Sequence, residues 1–190
     1  ERPIIYNTYQ CYLRNSSQRI QRDLDRSRRE GFYFAAKLVR GAYMVQERKR
    51  AIKLGEESPV YSTKEETHEN YDKCVQFLLG QIDHCALMLA THNQRSIELA
   101  IKRMNELKIE PEYGIYFGQL LGMSDHISFP LGKHGYLVFK YVPYGPIDEV
   151  LPYLIRRAQE NSSVLSSSKK EINLVWGELK RRVKKQFAKE

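Results

Sequence analysis

The chain has 190 residues, 42% of them hydrophobic and 28% charged, with a formal charge of +8. That is enough for one domain with a real core, and no run approaches the eighteen consecutive apolar residues of a membrane-crossing helix. Its three cysteines, Cys11, Cys74 and Cys85, lack metal-ligand spacing and cannot form a complete disulfide set, which suits a reducing interior.

In chain order, the first apolar run is "PIIYNTYQCYL", a strand candidate reached within four residues. With no initial methionine and no signal or transit peptide in view, this reads as a start in mid-domain, with any targeting segment upstream. "SSQRIQRDLDRSRREG" follows as a polar helix with Ile20 and Leu24 at i, i+4 and Gly31 as its stop. "FYFAAKLVRGAY" is the second strand, and "VQERKRAIKLG" a helix ending on Gly55. "STKEETHENYDKCVQFLLG" places Ser62 and Glu65 at capping-box spacing, then Tyr71, Cys74, Val75 and Leu78 on one stripe. "CALMLATHN" is the third strand. "SIELAIKRMNELKI" shows a helical face of Ile97, Ala100, Ile101, Met104 and Leu107. "GIYFGQLL" and "YLVFKYVPY" are strands four and five. The next helix carries Arg156 and Arg157, with Pro146, Asp148 and Glu149 suited to its start and Pro152 implying a kink or a later start.

Strands separated by helices, without hairpin turns, call for parallel pairing with right-handed crossovers. A dinucleotide-binding sheet needs a glycine-rich turn after a strand, and no GxGxxG occurs. Each strand instead ends in a polar cluster, as in barrel enzymes. Five strands are readable where a closed barrel has eight. The expectation is therefore an α/β fold: the C-terminal part, about five βα units, of a distorted (βα)8 TIM-type barrel, completed by an N-terminal segment outside this chain.

Several side chains could carry chemistry. Lys37 and Arg40 stand three apart, so a regular strand points them to opposite faces; snorkelling at a strand end is the plain reading. Gly41 just beyond permits close backbone approach to a ligand. His92 in "ATHN" is a single histidine with no second at metal spacing, and Thr91 and Asn93 could be helix caps. Arg156 and Arg157 point about 100° apart on a helix. Either one is an ordinary surface arginine, or both lean toward a group with two acceptor oxygens. Glu160, within reach of both, would explain one of them as a surface pair contributing about 0.5 kcal/mol.

Together "NTYQCYL", "AAKLVRGAY", "ATHN", "YFGQLLGMSD", "KYVPYGP" and "RRAQEN" resemble the proline dehydrogenases, in the animal mitochondrial form, over about residues 2–163. The resemblance implies a barrel whose final helix lies over the strand ends. It also implies FAD-dependent oxidation of L-proline to 1-pyrroline-5-carboxylate, by hydride transfer to flavin N5, with electrons passed to ubiquinone on the matrix side of the mitochondrial inner membrane. Arg156 and Arg157 would clamp the substrate carboxylate, with Glu160 orienting them. Tyr141, Leu120 and Tyr43 would form the substrate pocket. Lys37 stands where bacterial relatives carry an arginine near the flavin, and is counted as catalytic with the two arginines. Asn7 falls where those relatives have glutamine, and Val39, Arg40, Gly41 and Met44 would line the flavin. Thr91 and His92 would touch it, and Ser62 would reach its adenosine end. Relatives that oxidise hydroxyproline carry a small residue in place of Tyr141, so Tyr141 argues for proline.

The charge is concentrated in the tail. From Lys169 onward there are eight Lys/Arg against three Asp/Glu, leaving +3 for the first 168 residues. Residues 164–190 read as a serine-rich linker and a basic helix with Ile172, Val175, Trp176, Leu179, Val183 and Phe187 on one face. Docking of that helix on the barrel is the favoured reading, and contact with an anionic membrane surface the sharper one. The rival function is a non-catalytic basic module binding anionic lipid or RNA. No nucleic-acid module is recognisable, so no nucleic-acid partner is expected.

Overall fold

A computed structural model describes residues 3–160 and 168–187. All five expected strands form: β1 (Asn7–Gln10), β2 (Phe34–Val39), β3 (Cys85–Ala90), β4 (Ile115–Leu120) and β5 (Leu137–Tyr141). They pair in parallel and in sequence order, β1-β2-β3-β4-β5. Between them run α1 (Ser16–Glu30), α2 (Met44–Leu54), α3 (Lys64–Leu79), α4 (Gln94–Glu106) and α5 (Asp125–Lys133). Helices α6 (Ile147–Glu160) and α7 (Ser168–Phe187) follow β5.

Parallel pairing gives the sheet two chemically distinct faces, because partnered residues point the same way. Leu38, Leu87, Leu89, Ile115 and Phe117 point toward the helices and meet Ile20, Leu24, Tyr71, Leu78, Ile97 and Met104, all of them fully buried. Burying each such side chain contributes about 1.5–3 kcal/mol. The opposite face carries the row Thr8, Lys37, Met88, Tyr116, Leu137. These side chains are exposed or partly exposed. Tyr116 packs between Tyr6 and Phe139, with ring centroids 6.1 and 5.6 Å away. This is the face that lines the interior of a barrel.

Three local expectations are corrected. The capping box at α3 lies one residue later: Thr63 Oγ1 accepts from the Glu66 amide at 3.1 Å, and Glu66 Oε2 accepts from the Thr63 amide at 2.9 Å. Pro152 does not delay α6, which starts at Ile147 after the Pro146 carbonyl accepts from Val150 N at 2.9 Å. Among the described residues, nothing docks against the apolar stripe of the terminal helix. Ile172, Val175, Trp176, Leu179 and Val183 are 44–63% exposed. Helix α5 was not anticipated, because Pro130 and Gly132 break the usual helical signature of "DHISFPLGK".

Candidate active site

The strand ends and α6 enclose a cleft of about 180 Å³. It is smaller than the roughly 300–1,000 Å³ of sites for drug-sized ligands, and suits a compact molecule. Leu120 and Met123 enter from the end of β4, Tyr141 from the end of β5, and Leu154, Arg157 and Ala158 from α6. The helix therefore lies over the strand ends, as expected. Arg157 is partly buried there, while Arg156, one position along and turned away, is exposed and outside the lining. Glu160 closes α6, and its side chain lies outside the described residues.

A row of rings and cations frames the cleft. The Arg157 guanidinium lies 5.3 Å from the Tyr153 ring centroid, the Tyr153 and Tyr141 rings are 5.9 Å apart, and Lys37 Nζ lies 5.9 Å from the Tyr141 ring. Both cation–ring distances fall within the range of attraction to an aromatic face. Tyr153 was missed from sequence. Its spacing of four residues before Arg157 was the available signal, since such pairs meet on one helix face.

Lys37 and Arg40 do take opposite faces, and neither reaches out to bulk solvent in the expected way. Lys37 crosses the open face toward Tyr141. Arg40 turns in among the helices, where Nε donates to His68 Nδ1 at 2.6 Å, Nη1 to Thr91 Oγ1 at 2.7 Å and Nη2 to Ser96 Oγ at 2.8 Å. The Tyr71 ring lies 4.3 Å from its guanidinium carbon, and Ser96 Oγ donates to Asp72 Oδ1 at 2.5 Å. Burial lowers the Arg40 pKa, and burial followed by the Arg40 charge lowers that of His68. The Arg40 side chain thus faces away from any ligand on the open face.

His92 does face the open side. Its Nδ1 is 3.1 Å from Ser124 Oγ, and its Nε2 accepts a long 3.5 Å contact from Leu120 N. Burial, then the charge of Lys140, holds its pKa below the ordinary value. Thr91, its neighbour, points the other way into the Arg40 network.

Asn7 pairs with Ala36 at the far end of β1, on the helix-facing side, and its side chain bonds Tyr9. The residue of β1 at the open strand end is Gln10, paired with Val39, whose Oε1 accepts from Tyr12 OH at 2.9 Å and from Ala42 N at 3.2 Å. Alternation counted back from Val39 was the signal that could have found it. Gly41 has φ +130°, and a Cβ there would lie 1.6 Å from Tyr12 Cε1. Its lack of a side chain makes room for Tyr12 rather than for a ligand. Tyr43 and Met44 lie at the β2 end, 45% and 39% exposed, outside the Arg157 cleft. Ser62 lines a different cleft, with Arg14, Arg48 and Tyr61.

The open face fits a flat, partly apolar cofactor such as a flavin. Val39, Ala90 and Gly118 make a low floor beside Lys37, and a Cβ on Gly118 would meet nothing closer than 3.9 Å. That glycine is not demanded by internal packing, and it keeps the floor level.

A parallel sheet backed by helices, with a lidded cleft at its strand ends, defines the TIM-barrel class of α/β enzymes. The family model for proline dehydrogenase matches residues 1–170. The chain belongs to the proline dehydrogenase family. It is 50% identical over 188 residues to human mitochondrial proline dehydrogenase 1, covering 97% of this chain and 31% of that protein. It is 47% identical over 185 residues to hydroxyproline dehydrogenase of Bos taurus, covering 95% of this chain and 40% of that protein. Among solved structures it is similar to proline utilization A from Bdellovibrio bacteriovorus inactivated by N-propargylglycine. There the TM-score is 0.76 and the identity 31%, over 81% of this chain and 16% of that one. The chain thus spans about a third of the length of its curated relatives.

Proposed function

We propose that the protein oxidises L-proline to 1-pyrroline-5-carboxylate with FAD, residues 1–163 forming the cleft side of the barrel and an N-terminal segment completing it. The observation that carries this reading is the convergence of Leu120, Tyr141 and Arg157, from three elements, in one small cleft. Bound FAD would supply the hydride acceptor at N5 and pass electrons to ubiquinone. Lys37, Val39 and Gln10 would hold it on the open face, with the Gly41 and Met44 segment at its rim and Ser62 toward its adenosine end.

The chain's own part is placement. Arg157 supplies forked, charge-assisted bonds to the substrate carboxylate, and Arg156 joins it by a turn of its side chain when substrate fills the cleft. Leu120 and Tyr141 would wall the pyrrolidine ring and fix its orientation toward the acceptor. Tyr43 closes the pocket from the β2 side. Lys37 would set a positive charge beside the bound group, where it would stabilise negative charge. His92 has both ring nitrogens engaged by Ser124 and Leu120, so it orients the wall rather than taking the substrate proton. The inactivation of a structural relative by N-propargylglycine, itself an N-substituted amino acid, supports an amino-acid site. The test is Arg157→Lys in a flavin-loaded protein of the relatives' full length, with an expected rise of about tenfold in proline KM. Unchanged KM in both Arg157→Lys and Arg156→Lys refutes the clamp.

Hydroxyproline is the second substrate reading, favoured by the 47% identity to hydroxyproline dehydrogenase. Tyr141 disfavours it, because its ring crowds an added hydroxyl. The relatives' mitochondrial names support a mitochondrial location, and we infer the matrix side of the inner membrane. Residues 164–190 would serve that location. The exposed stripe of α7 has Lys180 and Arg182 on its two flanks, the pattern of a helix lying in an anionic lipid surface. Deleting residues 169–190 should abolish salt-sensitive binding to vesicles containing cardiolipin; undiminished binding argues against this role.

A further inference from the structure

The Arg40 guanidinium is spread across four parts of the fold. It leaves the end of β2, reaches His68 and Tyr71 on α3, Ser96 in the first turn of α4, and Thr91 just beyond β3. Each of its three nitrogens donates to a different acceptor at 2.6–2.8 Å. A partly buried cation with this geometry is stabilised by having its donors satisfied. Its charge is answered through Ser96 by Asp72.

Thr91 is gripped from both sides. Its Oγ1 accepts from Arg40 and from Asn93 N at 3.1 Å, while its carbonyl accepts from Gln119 Nε2 at 3.4 Å. The next residue, His92, crosses to the open face and accepts from the Leu120 amide, and Leu120 lines the cleft. A continuous chain of bonds therefore runs from the helix layer to the substrate wall: Arg40, Thr91, His92, Leu120.

We propose that Arg40 is a positioning residue: it holds Thr91 so that His92 and the Leu120 wall stand at the right depth, and it does so only with a neutral His68 accepting from its Nε. This rests on the reading of the cleft as the proline site. The role follows from the chemistry of the acceptor. Nδ1 of His68 can take the Arg40 bond only when it carries no proton. Protonation would set an imidazolium against a guanidinium, opposed by Glu65 and Asp72 and reinforced by Lys64, all on α3. Tyr71 on α3 and Cys11, one residue past β1, are the other titratable groups facing Arg40. Acid would thereby loosen the β3 end.

The experiment uses the flavin-loaded protein at the full length of its relatives, with Arg40→Lys, Arg40→Met and His68→Asn. Asparagine places a non-titrating acceptor where Nδ1 stood. In the wild type, kcat/KM for proline should fall as pH drops below the ordinary imidazole range; in His68→Asn that fall should become shallower, with His92 left as the titrating imidazole of the chain, while activity at neutral pH stays within about twofold. Arg40→Lys keeps the charge but loses the three-way fork, and should lower kcat about ten- to a hundredfold with KM little changed, and shift the visible circular dichroism of bound flavin. Wild-type kcat and dichroism in Arg40→Lys, or an unaltered acid limb in His68→Asn, overturns the proposal. Because Arg40→Met can fail to fold, a thermal melt accompanies each variant and the two milder substitutions decide. Ring 15N shifts of His92, read in histidine-labelled protein, separate this inference from the activity. If the wild type oxidises no proline yet those shifts move in Arg40→Lys, the substrate reading falls and the positioning role stands; if they do not move, the positioning role falls.

Discussion

Lys37 and Arg40 show how far single residues can be read. Strand alternation correctly sends them to opposite faces, but only the packed helices reveal that the arginine is enclosed and the lysine borders the cleft. Residue types at strand ends were legible because barrel chemistry gathers there; the partners of each side chain were not, since they come from 28 to 56 positions away in the Arg40 network. Gly41→Ala must place a methyl 1.6 Å from the Tyr12 ring at φ +130°, and should cost more than about 2 kcal/mol in a urea melt. Tyr141→Ser should raise kcat/KM for hydroxyproline relative to proline by about tenfold in steady-state assays, because it removes the ring that crowds the hydroxyl.

Helices were read well where a stripe and a stop agreed. In α1, Ile20 and Leu24 are fully buried and Gly31 ends the helix at φ +74°. In α3 the stripe was right and the cap was one residue off, because Ser62–Glu65 and Thr63–Glu66 have the same spacing and only the backbone shows which forms. Thr63→Ala should therefore destabilise the fold by about 1 kcal/mol, and Ser62→Ala by much less, as measured by denaturant midpoint. Helix α5 escaped notice for a different reason. Its stability comes from tertiary burial of Ile127 and Leu131, and its interior proline has no local signal to offset it. Helix α7 shows the converse, a clear pattern whose apolar stripe stays exposed among the described residues.

Across the whole molecule, His68 and His92 set an acid limit on stability. Burial is the first cause in both, so each binds a proton less readily when folded than at the ordinary value of 6.5. The unfolded chain then takes up more protons as pH falls from 6.5, and folding free energy is lost through that window; above it the contribution is constant. Thermal melts at stepped pH should show a decline below 6.5 that His68→Asn makes shallower. The sequential, all-parallel order of the strands has one more consequence. Each strand from β2 to β5 pairs with the one synthesised just before it, so the sheet can grow by accretion at its newest edge while translation proceeds at about 5–20 residues per second. Among the described strands none has to wait for a distant mate to leave the ribosome, and a pause in synthesis would leave a shorter sheet with its earlier pairings intact.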